Sequence, residues 1–215
     1  MDGIRLEPRQ GIAFQTPATE VLYGGAAGGG KSYLLRVSAI RWCMEVAGIQ
    51  VYFFRRTLPD LRDNHLRGPT SFFVLLADML ESGHVKYRSV ENEFEFWNGA
   101  ILHLCYCDSE NDVEKYRGAE IHILIIDELT HFSEYQFRFL RSRVRRAGLN
   151  LPEQYKNRLP RIETASNPGS IGLAWVKRTF VSPKIPRAII SKESLARPER
   201  PFPSKTAAFT SIIMS

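Results

Sequence analysis

The chain has 215 residues, 44% of them hydrophobic and 24% charged, with a net charge of +6. That is room for one large α/β domain with a sizeable core, and the composition excludes a disordered or fibrous chain. No apolar run nears the ~18 residues of a membrane span, the start Met1-Asp2-Gly3-Ile4-Arg5 does not read as a signal peptide, and three cysteines fit a reducing compartment.

In chain order, residues 1–20 carry Pro8 and Pro17 and read as an irregular lead-in. Val21, Leu22 and Tyr23 read as a short strand. A glycine loop follows, then a mostly apolar helix over 33–47 that stops toward Gly48. A second apolar strand spans 49–54 and runs into Arg55-Arg56-Thr57. Residues 58–64 and 71–80 read as helices. Residues 93–97 and 100–105 alternate and are joined by Asn98-Gly99, a strong hairpin signal. It predicts an antiparallel addition beside a parallel sheet. Residues 111–116 read as a short polar helix, and Ile123 to Ile126 as a strand buried on both faces. Over 137–146 there are five arginines and no acid. Read as a helix, Phe137, Leu140 and Val144 share one face and Arg138, Arg141 and Arg145 another. A polar loop covers 147–160. A strand then runs from Arg161 toward Asn167-Pro168, a helix covers 172–181, and a proline-dense tail from Ser182 reads as an extended linker.

Two motifs carry chemistry. Gly25-Ala26-Ala27-Gly28-Gly29-Gly30-Lys31-Ser32 fits G-x-x-x-x-G-K-S, the phosphate-binding P-loop. Glycines accept the positive φ that lets backbone N–H groups turn inward onto phosphate oxygens. Lys31 supplies a point charge to the β- and γ-phosphates, and the Ser32 hydroxyl binds Mg²⁺. The helix that follows aims its positive end at the same phosphates. The second motif is the acidic pair Asp127-Glu128 at the end of the 123–126 strand. Asp127 would hold Mg²⁺, and Glu128 would act as general base on the attacking water. There is no Asn-Lys-x-Asp guanine-recognition element. The pair therefore favours hydrolysis of a nucleoside triphosphate over simple phosphotransferase chemistry, and the missing element argues against a GTPase. The basic run is read either as a solvated helix face or as a contact to DNA phosphates. His103, Cys105 and Cys107 share a strand face, but no second Cys/His pair stands beside them, so they read as buried side chains rather than a zinc site.

Together these motifs resemble the ATPase domain of the large terminase subunit, the motor that packs DNA into tailed-phage and herpesvirus-type capsids. The resemblance covers about residues 5–182. It rests also on Pro8-Arg9-Gln10 with Phe14, Phe53-Phe54-Arg55-Arg56-Thr57, Tyr116-Arg117-Gly118-Ala119-Glu120, Asp127-Glu128-Leu129-Thr130-His131-Phe132, Ala165-Ser166-Asn167-Pro168 and the segment from Trp175 to Phe180. It implies an α/β P-loop NTPase of the ASCE, RecA-like kind: a central, mostly parallel sheet flanked by helices, with an antiparallel hairpin added. Gln10 would read the adenine edges and Asn167 would sense the γ-phosphate. Many relatives place an arginine inside the P-loop, whereas this loop holds only Ala and Gly before Lys31. Arg117, ten residues before Asp127, is then the implied finger onto a neighbouring subunit's ATP, with Arg55 or Arg56 as alternatives.

The resemblance further implies ATP and Mg²⁺ as cofactors and double-stranded DNA as partner. It implies a homo-oligomeric ring, pentameric by analogy, that meets the portal protein and the small terminase subunit. Its place is the host cytoplasm, docked on the procapsid, with no membrane. Residues 1–182 read as the ATPase domain and 183–215 as a linker or the start of a following domain. Complete large terminases continue into an RNase H-like nuclease. After Glu163 only Glu193 and Glu199 remain acidic, so no nuclease activity is expected from this chain. The competing readings are an ATP-binding assembly module inactive as an isolated subunit, and another P-loop nucleic-acid motor such as a helicase.

Overall fold

A computed structural model describes residues 6–25, 28, 30–146, 148–181 and 209–213. Its strands are β1 (Glu20–Gly24), β2 (Gln50–Arg55), β3 (Val85–Arg88), β4 (Glu93–Phe96), β5 (Ile101–Tyr106), β6 (Ile123–Asp127), β7 (Arg161–Ser166) and β8 (Phe209–Ile213). Its α-helices are α1 (Pro8–Gln15), α2 (Lys31–Glu45), α3 (Leu58–Leu61), α4 (Phe72–Leu75), α5 (Ala77–Glu81), α6 (Glu134–Arg141) and α7 (Leu173–Val176). Wider π turns continue α3 through Arg62–Leu66 and α7 through Lys177–Val181.

The strands form one eight-stranded sheet in the order β3-β4-β5-β2-β6-β7-β1-β8. From β5 to β8 every neighbouring pair is parallel. β3 and β4 add antiparallel at one edge. Successive side chains of a strand point to opposite faces. Ile123 and Ile125 of β6 therefore join one core with Leu35, Ile40 and Phe53. Leu124 and Ile126 join the other with Phe54, Phe137 and Trp175. Helix α2 covers the first face, and α6 and α7 the second. Burial on both faces explains why β6 reads as an unbroken apolar run.

The expected α/β architecture, with its mostly parallel sheet and hairpin addition, is the one observed. Several local readings change. The lead-in holds helix α1, opened by Pro8 at its first turn and by a capping box between Glu7 and Gln10. Strand β3 has no counterpart in the sequence reading. The helix expected over 71–80 breaks at Leu76 into α4 and α5.

The arginine helix stops at Arg141. Beyond it the chain is captured as a strand: Ile121 donates its N–H to the Arg143 carbonyl and Arg145 donates to Ile121. Val144 thus bridges Ile121 in parallel and is not on a helix face with Phe137. The proline-dense stretch 182–208 lies outside the described residues. Phe209–Ile213, read from sequence as part of the linker, instead pairs in parallel with β1.

Candidate active site

The parallel strands bring the carboxyl ends of β1, β7, β6 and β2 to one edge, where open α/β sheets bind their ligands. The P-loop leaves β1, Asn167 leaves β7, Asp127 and Glu128 leave β6, and Arg55 ends β2. Because β7 stands between β1 and β6, Asn167 emerges between the phosphate loop and the acidic pair.

Gly28 and Gly30 of the P-loop take φ +82° and +66°, a region that glycine enters without strain. Gly30 is the N-cap of α2, whose open N–H groups and dipole face the loop. Ala26, Ala27 and Gly29 lie outside the described residues. Lys31 is buried, and its Nζ donates to the Gly25 carbonyl at 3.2 Å. Gln10 is also buried. Its Nε2 donates to the Gly30 carbonyl at 3.0 Å, and its Oε1 accepts the Glu7 N–H at 2.8 Å. Both ends of this amide are used within the chain, so here Gln10 braces the P-loop.

Asp127 is buried to 1% exposure. Its Oδ2 accepts from the Ser32 hydroxyl at 2.8 Å and from Arg55 Nη1 at 3.1 Å. The Nε2 of His65 also stands 3.1 Å from it. Its Oδ1 accepts the Glu128 N–H at 3.1 Å. Burial pushes the carboxyl up, but these partners prevail and hold it below the usual carboxylate range. A carboxylate beside a hydroxyl is an all-oxygen donor set. It suits Mg²⁺, which takes one or two protein oxygens and completes its shell with phosphate and water.

Glu128 sits at φ +54°, ψ 57°. For a side-chain residue this left-handed conformation costs on the order of 1–3 kcal/mol. It turns the carboxylate toward Asn167, which donates Nδ2 to Oε1 at 2.9 Å and its backbone N–H to Oε2 at 3.2 Å. The Oδ1 of Asn167 is buried and has no partner among the described residues. The two segments are locked behind the site. Thr130 donates its N–H to Ser166 Oγ at 3.2 Å, and Gly172 donates to the Thr130 carbonyl at 2.7 Å. A Cβ on Gly172 would stand 2.7 and 2.8 Å from the carbonyls of Thr130 and Phe132.

Arg117 is elsewhere. It follows the short turn Glu110–Tyr116, six residues before β6 begins, and none of the hydrogen bonds described for Asp127 and Glu128 reaches it. Its exposed side chain pairs with Glu114, and its carbonyl accepts from Arg143 Nη1 at 3.0 Å. The three arginines assigned to DNA do not share a helix face. Arg138 pairs with Glu134, Arg141 with the buried Glu20, and Arg145, beyond the helix, lies 3.7 Å from Glu120. His103 is engaged by Glu93 at 3.1 Å and Gln50 at 2.8 Å.

The family model of the large terminase subunit, T4-like virus type, N-terminal part, matches residues 22–146. The chain belongs to that family. This span takes in both the P-loop and the acidic pair of the terminase domain. In three dimensions the chain is similar to the large terminase of a thermophilic bacteriophage, at 16% identity and a TM-score of 0.57, covering 77% of this chain and 40% of that one. The same phage terminase has also been solved with ATP-gamma-S and with ADP. The N-terminal domain of the bacteriophage phi29 DNA packaging ATPase is similar at 14% identity and a TM-score of 0.52, covering 83% of this chain and 87% of that one. The ATPase domain of the Thermus phage P74-26 large terminase is similar at 14% identity and a TM-score of 0.50, with 89% and 91% covered. The match therefore spans less than half of the thermophilic phage's terminase and most of the two isolated ATPase domains. No curated protein sequence matches the chain.

Two members of the site had no signal in the sequence. His65 and Arg36 are both buried, and the Arg36 Nη1 lies 3.0 Å from His65 Nδ1. His65 stands ten residues past the end of β2, at no motif spacing. Burial pushes its pKa down, and the neutral ring is the form at pH 7.

Proposed function

We propose that this chain is the ATP-hydrolysing motor domain of a phage large terminase, driving double-stranded DNA into a capsid. The observation that carries the reading is the convergence of Lys31, Ser32, Asp127, Glu128 and Asn167 at one sheet edge. Similar folds solved with ATP-gamma-S and ADP support the nucleotide assignment.

In this reading Gly25 to Ser32 wrap the phosphates, and Lys31 leaves the Gly25 carbonyl to meet the β- and γ-phosphates. Ser32 and Asp127 would hold Mg²⁺, which would supply positive charge to the phosphate oxygens when bound. Glu128 takes a proton from the attacking water. Asn167 holds Glu128 before ATP arrives. It turns to the γ-phosphate when the site fills, freeing the carboxylate and reporting phosphate loss to elements that touch DNA. Gln10 sets the rim of the adenine side by bracing Gly30, and it meets the base only by releasing one of its present bonds.

Arg117 is exposed and pairs with Glu114, a surface bond that a phosphate can replace at little cost. It serves a neighbour's ATP in a homo-oligomeric ring, pentameric by family analogy, docked through the portal protein on the procapsid in the host cytoplasm and fed by the small terminase subunit. Arg55 already supplies a cation beside Asp127 in its own chain. Of the DNA-binding arginines, Arg138 and Arg145 keep exposed ion pairs that a phosphate can replace at little cost. Arg141 is committed to Glu20 and is assigned to the fold. Residues 1–182 make the ATPase domain, and β8 returns to its sheet.

The test is ATP turnover per subunit over a wide range of protein concentration, with and without duplex DNA, using Glu128→Gln as the contamination control. DNA-stimulated turnover that rises with concentration and vanishes in the control supports the motor. Nucleotide binding without turnover at any concentration supports an assembly module instead.

A further inference from the structure

The Arg36 guanidinium only donates hydrogen bonds. Its Nη1 faces His65 Nδ1 at 3.0 Å and also donates to the Asn64 carbonyl at 2.9 Å, while its Nη2 donates to Thr70 Oγ1 at 2.9 Å. A ring nitrogen facing an obligate donor must accept, so Nδ1 carries the lone pair. The one proton of the neutral ring then lies on Nε2, 3.1 Å from Asp127 Oδ2. At that distance Nε2 still falls outside full hydrogen-bond geometry; the N–H leans on the carboxylate at an angle.

The ring has little room to turn over. His65 is fully buried, with Phe53 edge-on at 4.6 Å and Phe72 at 6.3 Å between centroids. The π turn Arg62–Leu66 carries it inward while Arg62, Asp63 and Asn64 stay exposed. Such turns concentrate at functional sites. Arg36 follows Ser32 by four residues on α2, so the contacts close a circuit: Ser32 to Asp127, Asp127 to His65, His65 to Arg36, and back along the helix.

We propose that Arg36 and His65 are positioning residues for the metal-binding carboxylate. Arg36 fixes the His65 proton on Nε2, and that N–H orients Asp127 so that it takes up Mg²⁺ together with Ser32. The inference rests on the reading of Ser32 and Asp127 as the metal site. A buried histidine that only fills the core would affect nucleotide binding equally with and without metal. A positioning histidine affects it only with metal.

The experiment has two parts. Side-chain ¹⁵N NMR of the wild-type protein, free of nucleotide and metal, reads the tautomer directly; protonated Nε2 and bare Nδ1 are expected. Binding of a fluorescent, non-hydrolysable ATP analogue is then measured in Mg²⁺ and in EDTA for wild type, His65→Leu and His65→Gln. His65→Leu is expected to weaken binding in Mg²⁺ by about tenfold or more, the usual effect of losing a partner of a metal ligand, and to leave binding in EDTA unchanged. His65→Gln restores part of the loss through its amide N–H.

Equal weakening in both conditions overturns the proposal, as does a proton on Nδ1. Should His65→Leu fail to fold, the wild-type tautomer and His65→Gln decide. If wild-type binding is itself indifferent to Mg²⁺, the metal-site reading falls and the relay with it. An Nδ1 proton in a chain that does respond to Mg²⁺ removes the relay alone.

Discussion

Asn167 grips both oxygens of Glu128, one through its side-chain amide and one through its backbone N–H. The carboxylate that would activate water is thereby held by donors of its own chain, in a backbone conformation that is itself strained. Glu128→Gln should lower ATP turnover by about 10²–10⁴-fold and leave nucleotide affinity near wild type, because the hydrogen bonds described for its carboxylate run to Asn167 rather than to the phosphate loop. Steady-state turnover beside equilibrium nucleotide binding checks this. A parallel loss of affinity would assign Glu128 to binding.

Arg117 gives a concentration-dependent prediction. If it acts on a neighbour, wild-type turnover per subunit climbs as subunits meet, and Arg117→Ala removes the climb with a loss of up to about 10³-fold or more. Mixing Arg117→Ala with Glu128→Gln subunits should restore activity, since one supplies an intact site and the other an intact finger. Turnover that is flat with concentration, yet above the Glu128→Gln background, would place every catalytic group in one chain. Arg55 would then be the cation to test.

Gly30 and Gln10 should behave as a coupled pair. A Cβ at Gly30 would stand 2.3 Å from Gln10 Nε2, and the residue also sits at φ +66°. Gly30→Ala should weaken nucleotide binding by about tenfold from backbone strain alone, and further from the clash. Adding Gln10→Ala should recover the clash component and not the strain. Titrations of the two single variants and the double variant separate the two; full additivity would mean that Gln10 does not brace the loop.

The cysteines should be silent in the native state. Cys43, Cys105 and Cys107 are free and buried, and burial pushes the Cys107 thiol up to about 12, so little thiolate is present at pH 8. A colorimetric thiol reagent should label them only as fast as the protein opens, and rapidly in denaturant. Fast labelling of one cysteine in the folded protein would mark a local opening at that strand.

The phosphate loop and the acidic strand were legible because their chemistry demands particular residue types at fixed spacing, and a strand buried on both faces shows as an unbroken apolar run. The hairpin was legible from Asn98-Gly99. What stayed hidden was set by approach in three dimensions. Helix α1 was masked by Pro8, a residue that opens helices as readily as it breaks them. The helical spacing of Arg138, Arg141 and Arg145 was real in the sequence. Two backbone hydrogen bonds, one donated by Ile121 and one accepted by it, hold the second half of that segment in a bridge, and local periodicity carries no trace of such a competitor. His65 and Arg36 meet only because a π turn after β2 folds back onto α2. No spacing rule joins residues 29 positions apart on unrelated elements.

Gly172 has a mechanical consequence. Its missing side chain lets the segment after Asn167 lie against the carbonyls of Thr130 and Phe132, just beyond Glu128. The carboxylate and its amide partner are thus carried by two strands whose loops are clamped at a fixed separation, like the jaws of a caliper. A shift of one loop is therefore handed to the other through the Gly172–Thr130 hydrogen bond, whereas rotation of the Asn167 amide breaks only its own bond to Glu128.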